Sequence, residues 1–440
     1  MNKAGASRKR RPGSFCGSIL DMSNLQQTLE KARRLESTTD LAGARQLYES
    51  MLNDPQAMVQ GSLGLARVEL ASGRSAQALG WLEKLDPSSI DPQARLEAFL
   101  LRAAALRVLE RRDEEAIALQ SALATDPYCW PALLQKGQLQ ERLGQRKEAA
   151  LTSRDALKIS PTSPYRPKPF QQPLAHAERV VQMYAEALEV QLLEAVGVMD
   201  GMSSRWREAV SIMAGRTKPF LADCNQLTVP RLPAQPFFRR EMFEWVEEFE
   251  KFTSDIRREM VLAMSEASDS FSPYVQYNPG EPVNQWQELN HSRAWSTFHL
   301  FRGGQPVEDN LARCPRTAEA LRLVDQVYLA GTCPNAMFSV LAPKTRIPPH
   351  HGESNARLVA HLPLVVPEGC LFRVGYDNRR WTEGEVLVFD DTIEHEASND
   401  SDQIRVVLIF DVWNPLLSPE ERRIVQRMAE VERTFRLGSV

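Results

Sequence analysis

The feature that most constrains the fold is a long helical pattern interrupted by proline at nearly regular intervals. From about Ser23 to Ser160 the chain is rich in Ala, Leu, Arg, Glu and Gln, and its apolar residues recur at helical spacing. The interrupting prolines are separated by 32, 40 and 34 residues: Pro55, Pro87, Pro127 and Pro161. Such a period predicts stacked helix pairs, because a single pair cannot bury its own apolar face.

The segment from Trp130 to Pro161 fits a 34-residue helix pair best. Gly137 lets one helix approach its neighbour closely, and Ala149 and Ala156 are small residues placed where the helices cross. We interpret residues 23–161 as three to four tetratricopeptide-like repeats, a class that presents an extended concave binding surface. A plain helical bundle is the alternative.

The pattern changes after Pro219, where proline, glycine and aromatic residues become frequent. Short runs with strand propensity now replace the helical pattern: Ser296–Phe301, Ala336–Leu341, Arg357–Val366, Cys370–Tyr376, Val386–Asp390 and Ile404–Trp413. Close turns separate these runs, and long helices do not alternate with them. This half therefore predicts an antiparallel sandwich or a jelly-roll barrel rather than a parallel doubly wound sheet.

The remaining segments flank or connect these two parts. We expect a flexible tail at residues 1–22, and a Pro-rich linker with a docking helix at 162–220. The β domain then covers 221–415, and a charged helix covers 416–440. The expected fold class is multidomain, with all-α repeats followed by a β domain.

Charge and composition exclude several classes of function. The net charge is −4, which gives no reason to expect nucleic acid as a partner. Six cysteines are scattered without a CxxC pair, so a thiolate zinc site or a disulfide framework is not expected. No apolar run approaches the ~18 residues that cross a bilayer. We expect a cytoplasmic protein with no membrane partner.

Histidines cluster in the β half of the chain. Four of the seven fall within one short stretch: His350, His351, His361 and His395. Two imidazoles from different strand ends, His350 and His395, could converge on one divalent metal. The alternative for each is a surface histidine.

Strand alternation and one arginine add to this picture. Along Arg357–Val365, alternation puts Arg357, Val359 and His361 on one face, opposite a face that is purely aliphatic. Arg405 opens an otherwise apolar strand, and a buried arginine needs an anion. A dicarboxylate ligand would satisfy it through two hydrogen bonds, and an internal salt bridge is the alternative.

The ordered motifs of this region resemble one family. The chain reads PHHG at 349–352, HL at 361–362, FDDTIEHE at 389–396 and DVWNP at 411–415, the last shortly after Arg405. Together they resemble the aspartyl/asparaginyl β-hydroxylase family over roughly 230–415. The resemblance implies an iron(II)- and 2-oxoglutarate-dependent oxygenase on a double-stranded β-helix, which is a cupin-like jelly roll.

The resemblance also implies roles for particular residues. His350 and His395 match the iron ligands, and Asp391 matches a catalytic acidic residue near the metal that does not ligate it. The residues that match the 2-oxoglutarate site are Ser339, His361 and Arg405. Gly352 stands where related oxygenases carry a carboxylate ligand, as in the hydroxylase family itself. Val359 stands where the family often has arginine, so the substrate does not follow from the resemblance.

The leading hypothesis is a dioxygenase that uses molecular oxygen to hydroxylate a side chain, by Asp/Asn-type β-hydroxylation, of a protein or peptide recruited by the repeats. One alternative is a catalytically silent repeat scaffold for protein–protein interaction. Another is a hydroxylase of a small molecule or lipid whose repeats serve oligomerisation.

Overall fold

The computed structural model describes residues 18–197 and 203–437, which form two compact units. Among these residues, the first unit contains 18–197 and Met213–Arg216, and the second contains 203–212 and 217–437. Residues 1–17 of the predicted tail lie outside the described residues, and residues 18–22 belong to the first helix.

Helices make up the first unit. Their bounds are α1 Ser18–Ser37, α2 Leu41–Met51, α3 Met58–Ala71, α4 Ser75–Leu82, α5 Pro92–Val108, α6 Arg112–Thr125, α7 Trp130–Arg142, α8 Arg146–Ile159 and α9 Gln171–Gly197. Each helix packs mainly on its immediate neighbours along the chain. This stack of consecutive helix pairs confirms the helical-repeat part of the predicted fold class.

The best-fitting predicted pair corresponds to α7 and α8. A Cβ at Gly137 would lie 2.8 Å from the Ser153 hydroxyl on the facing helix, so glycine permits the close approach that the sequence predicts. Ala149 and Ala156 are both fully buried at this crossing. Gly144 follows α7 with a φ of +74°, a conformation in which glycine ends a helix without strain.

The second unit is built on antiparallel strands. Their bounds are β1 Phe237–Phe238, β2 Ser272–Pro273, β3 Trp295–Arg302, β4 Gln305–Pro306, β5 Ala336–Leu341, β6 Thr345–His350, β7 Arg357–Val365, β8 Cys370–Val374, β9 Asp377–Arg379, β10 Leu387–Phe389, β11 His395–Asn399 and β12 Arg405–Trp413. The helices are α10 Ser204–Ala214, whose last two residues are assigned to the first unit, α11 Val246–Glu250, α12 Thr253–Glu266, α13 Glu308–Arg313, α14 Pro315–Leu321 and α15 Pro419–Arg436.

Two sheets face each other. The major sheet has the order β1-β10-β7-β12-β5-β3-β2, with β4 paired to β3, and the minor sheet has the order β6-β11-β8-β9. From β5 to β12 the chain winds between the two sheets, so that strands distant in sequence become neighbours. This is the topology of a double-stranded β-helix, and it confirms the predicted jelly-roll fold class.

The two faces of the major sheet pack against two different hydrophobic cores. Leu358, Leu362 and Leu364 of β7 point away from the minor sheet and join the core formed with α11, α12 and α14. Val359, between them in sequence, joins the core on the other face with residues of the minor sheet. The alternation predicted for this strand is therefore present, and the face with Arg357 and His361 points between the two sheets.

The helix α15 closes the described part of the unit. Ser418 and Glu421 form a capping box at its N-terminus, and Val425 packs on the core that contains Trp413 and Leu417. In the part of the chain that the structure describes, no helix is both long enough and apolar enough to cross a membrane.

Candidate active site

The space between the two sheets opens into a cavity of about 850 Å³. Its wall includes all six residues that the sequence analysis selected: Ser339, His350, His361, Asp391, His395 and Arg405. They come from β5, β6, β7, the segment before β11, β11 and β12, so the winding of the chain brings them together. His351 also lines this cavity.

His350 and His395 form a pair on neighbouring strands of the minor sheet. They are direct partners in the register of β6 and β11, and their ring centroids lie 4.0 Å apart. The Nδ1 atom of His350 lies 2.8 Å from the Pro348 carbonyl oxygen, and that of His395 lies 3.1 Å from the Ile393 carbonyl oxygen. Since a carbonyl only accepts, each Nδ1 carries the hydrogen, which leaves the Nε2 lone pair free on both rings.

The protonation state of this pair suits a metal ligand. Burial lowers the pKa of both imidazoles below the ordinary histidine value, so both are neutral near pH 7. A histidine that binds a metal through one ring nitrogen usually donates the hydrogen on its other ring nitrogen to a carbonyl, a carboxylate or water, as both of these residues do. Two such nitrogens, with positions left open for other ligands, fit iron(II). Across the described residues, no cluster of three or more His, Cys, Asp and Glu side chains is arranged to hold a metal.

Gly352 and Asp391 share one space beside the histidine pair. A Cβ built on Gly352 would overlap the Asp391 carboxylate, and the Gly352 amide donates to the Asp391 carbonyl at 2.6 Å. The Asp391 carboxylate thus fills the volume that a side chain at position 352 would need. Position 352 has no carboxylate of its own, but the Asp391 carboxylate reaches the same place from the connection between β10 and β11.

Arg357 anchors the Asp391 carboxylate. Its Nη1 donates to Asp391 Oδ2 at 2.7 Å, and Asp411 and Glu353 lie 3.6 and 3.5 Å from the guanidinium. Asp391 Oδ1 is buried and has no hydrogen-bond partner. Burial raises the pKa of Asp391 to about 6, against the opposing effect of Arg357. One oxygen is therefore fixed, and the other remains available as an acceptor.

Arg405 carries a buried charge that the described residues do not neutralise. The residue is 2% exposed, its Nε has no hydrogen-bond partner, and no carboxylate of the described residues acts on its charge. The guanidinium lies 5.1 Å from the centre of the Trp381 ring, and burial lowers the pKa of Arg405 to about 10. The alternative of an internal salt bridge is therefore not what the described residues form. An anionic ligand would compensate this charge.

His361 and Ser339 supply further hydrogen-bond donors beside Arg405. Trp381 Nε1 donates to His361 Nδ1 at 3.2 Å, and burial lowers the pKa of His361 to about 3. His361 is therefore neutral, with its hydrogen on Nε2. Trp295 Nε1 donates to the Ser339 hydroxyl oxygen at 3.0 Å, which leaves the hydroxyl hydrogen free to be donated. An arginine, an imidazole N–H and a hydroxyl are together suited to a carboxylate.

Sequence reasoning put Arg357 on the same strand face as His361 but gave it no role, and it did not select Trp295 or Trp381. Trp295 and Trp381 fix the donors of Ser339 and His361, and Arg357 fixes Asp391. Trp381 lies only eight residues before the FDD motif, so its place in sequence was a usable signal. Trp295 lies 44 residues before Ser339, and only the pairing of β3 with β5 brings the two together.

We predict that Gly352→Ala lowers the free energy of unfolding by ~1–3 kcal/mol, because the added methyl must displace the Asp391 carboxylate. Chemical denaturation measures this change. The cost should shrink in an Asp391→Ala background, where the space is vacant. Gly80→Ala is the control, since Gly80 lies in α4 with no atom near its Cβ position. An equal cost for Gly352→Ala in both backgrounds would show that the two residues do not compete for space.

The fold is that of a double-stranded β-helix protein, and its cavity combines a candidate metal site with a candidate carboxylate site. The sequence profile described as Aspartyl/Asparaginyl beta-hydroxylase matches residues 250–415. The chain belongs to the aspartyl/asparaginyl β-hydroxylase family, as the motif resemblance implies.

Two relatives illustrate how far the similarity extends. The aspartyl/asparaginyl beta-hydroxylase of Mus musculus is 34% identical over 198 residues, which cover 44% of this chain and 25% of the relative. The ornithine lipid ester-linked acyl 2-hydroxylase of Rhizobium tropici is 32% identical over 227 residues, which cover 51% of this chain and 74% of the relative. This chain thus spans about a quarter of the length of the mouse hydroxylase.

A solved structure overlaps with 44% of this chain. It is a thermophilic tetratricopeptide protein, TTC0263 from Thermus thermophilus, with a TM-score of 0.32 and 21% sequence identity, and all of that chain is covered.

Proposed function

We propose that this protein is an iron(II)- and 2-oxoglutarate-dependent dioxygenase that hydroxylates a side chain of a protein or peptide. The main observation behind the proposal is that one cavity contains two neutral imidazoles, His350 and His395, and a buried arginine without a counter-ion, Arg405. The imidazoles suit the metal, and the arginine suits a dicarboxylate. Membership of the hydroxylase family supports the same activity.

The bound metal and cosubstrate would supply the oxidation: dioxygen is reduced, 2-oxoglutarate becomes succinate and carbon dioxide, and one oxygen atom enters a C–H bond of the substrate. The residues of the chain bind and orient. His350 and His395 would hold the metal through Nε2, and Arg405, Ser339 and His361 would hold a carboxylate of the cosubstrate. The buried aromatic wall around His361, with Phe372, Trp381 and Phe389, limits access of water to that end of the cavity.

Asp391 has the role of orienting ligands of the metal from its free oxygen. We expect Asp391→Ala to weaken iron(II) binding by ~10–100-fold, the usual cost of removing a residue that supports a metal ligand. Titration of the folded variant with iron(II) measures the affinity.

Asp390→Ala is the matched control for Asp391→Ala. Asp390 accepts from the Thr392 amide at 3.0 Å and from its hydroxyl at 2.5 Å, so it, rather than Asp391, holds the turn before β11. Its substitution should lower stability and leave iron affinity nearly unchanged. Unchanged affinity and turnover in Asp391→Ala would remove Asp391 from the site.

Recruitment of a protein substrate is assigned to the helical repeats. Stacked helix pairs provide a surface for extended peptides, and the described residues of α1–α9 carry no cluster of metal-ligand side chains. The repeats lie outside the matched region of residues 250–415, so their contribution is additional to the family's shared barrel.

A lipid substrate is the second candidate, and one observation favours it. The Rhizobium tropici relative, which this chain covers over 74% of its length, is named as a lipid hydroxylase. A peptide substrate and a lipid substrate predict different products from the same purified protein.

The test is incubation of the full chain with iron(II), 2-oxoglutarate and either lysate peptides or a lipid extract, followed by mass spectrometry. The proposal expects peptides that gain one oxygen atom, at a yield matched by succinate. Modified lipids without modified peptides would establish the second candidate. Failure to bind iron and 2-oxoglutarate in equal molar amounts would instead indicate a catalytically silent scaffold.

A further inference from the structure

The outer face of α15 carries a regular apolar stripe. Its members are Ile424, Met428, Val431 and Phe435, and their exposed fractions run from 53% to 75%. The intervals of four, three and four residues are those of alternating a and d positions in a heptad. This stripe, which we call the α15 seam, is a helix face without a partner among the described residues.

The seam does not belong to the packing of α15 on its own domain. The inward face is a separate line of residues that includes Val425 and Ala429, which pack on the core with Trp413 and Leu417. Arg422 strengthens this attachment through an ion pair with Asp325 at 2.6 Å and a contact with the Trp413 ring. The helix is thus fixed in place on one side and apolar on another.

The α15 seam is separate from the candidate active site, both in the chain and in the structure. The family match ends at residue 415, and α15 begins at Pro419. None of the seam residues lines the cavity between the sheets. An exposed apolar stripe flanked by charged residues is typical of a surface that binds another helix. The stripe makes no contribution to the core that the described residues of the β domain form.

Charges beside the seam define which partner fits. Arg427 comes directly before Met428, and Glu432 comes directly after Val431, so they occupy g and e positions on opposite sides of the stripe. In a parallel pair of helices, a g residue faces the e residue of the next heptad on the other helix. A second copy of α15, aligned in parallel and in register, therefore places Arg427 opposite Glu432 twice. An antiparallel pair would bring g toward g and e toward e, so that like charges face each other.

These charges are free to exchange partners. Arg427 now pairs with Glu430 at 2.9 Å, and Glu432 pairs with Arg436, both within the helix and exposed to solvent. Exposed pairs of this kind contribute only ~0–1 kcal/mol, so replacing them with contacts across a desolvated seam costs little.

We propose that this protein forms a two-fold symmetric dimer through parallel pairing of the α15 seams of two copies. Burial of four apolar side chains from each copy drives the association, and the Arg427–Glu432 contacts select the parallel orientation. The proposal does not depend on the proposed function, because the seam and the active site share no residue.

The first test is sedimentation velocity of the full chain across a wide range of protein concentration. We expect a concentration-dependent monomer–dimer equilibrium, which Met428→Glu weakens by at least about tenfold because it buries an unpaired charge in the seam. Ile117→Glu is the matched control, since Ile117 is 64% exposed on α6 and should leave the equilibrium unchanged. Circular dichroism verifies that both variants stay folded. A monomer at every concentration, or a dimer indifferent to Met428→Glu, would overturn the proposal.

The second test addresses orientation. In a parallel, in-register pair Met428 faces its own copy, so Met428→Cys should form a disulfide-linked dimer on mild oxidation that the wild-type protein does not form. Arg427→Glu should weaken the dimer, and the exchange Arg427→Glu with Glu432→Arg should restore it. Dimerisation without this cross-link, or without rescue by the exchange, would contradict parallel pairing.

Discussion

Replacing His350 or His395 with alanine should abolish succinate formation from 2-oxoglutarate. Each substitution removes one of two neutral imidazoles whose ring centroids lie 4.0 Å apart, and the described residues contain no cluster of three or more metal-ligand side chains that could replace it. The loss should exceed the ~10–100-fold expected for a residue that only supports a ligand. Iron(II) titration and succinate measurement on the folded variants test this.

His176→Ala is the control for these variants. His176 lies on α9, where its Nε2 contacts Glu141 at 2.7 Å, and it is remote in sequence from every cavity residue. Its loss should leave iron binding and turnover unchanged. Full activity in either His350→Ala or His395→Ala would exclude the metal site proposed for the pair.

Arg405→Met should leave the thermal stability of the ligand-free protein equal or higher while it weakens binding of 2-oxoglutarate. Without a ligand, Arg405 is a buried charge with no counter-ion, so an apolar side chain of similar length should leave the melting temperature of the ligand-free protein equal or higher. With 2-oxoglutarate, the variant loses charged hydrogen bonds worth ~3 kcal/mol, which raises the required cosubstrate concentration roughly a hundredfold.

Two measurements decide this prediction: thermal unfolding with and without 2-oxoglutarate, and turnover against cosubstrate concentration. Arg67→Met is the contrasting control, because Arg67 on α3 pairs with Glu36 and Glu97. It should lower stability and leave the cosubstrate requirement unchanged. If Arg405→Met instead unfolds the barrel while the folded remainder keeps its normal requirement, Arg405 is a structural residue.

The sequence predicted the major sheet better than the minor one. The predicted runs Ala336–Leu341 and Arg357–Val366 correspond closely to β5 and β7, because these strands are apolar and buried along nearly their full length. The strands β6 and β11 were not predicted. β6 contains two prolines and β11 is largely polar, so their pairing with each other defines them rather than local propensity.

The same contrast holds for the candidate site. Motif order selected six residues that the structure places in one cavity, although their chemical roles stay proposals. Arg357 contacts Asp391 from 34 residues away in the chain. Gly352 lies 39 residues from Asp391 in the chain, yet it packs so closely that an added Cβ would overlap the Asp391 carboxylate. Both depend on how the strands are aligned, which no local pattern in the sequence specifies.

The direct pairing of His350 with His395 has a consequence for folding. The two residues are 45 apart in the chain, and a metal bound to both would act as a reversible cross-link that closes this loop. A slip of one residue between β6 and β11 would turn one imidazole to the opposite face and break the link. Metal binding should therefore penalise misaligned strands, and hydrogen exchange in β6 and β11 should slow more on adding iron(II) than exchange in the major sheet.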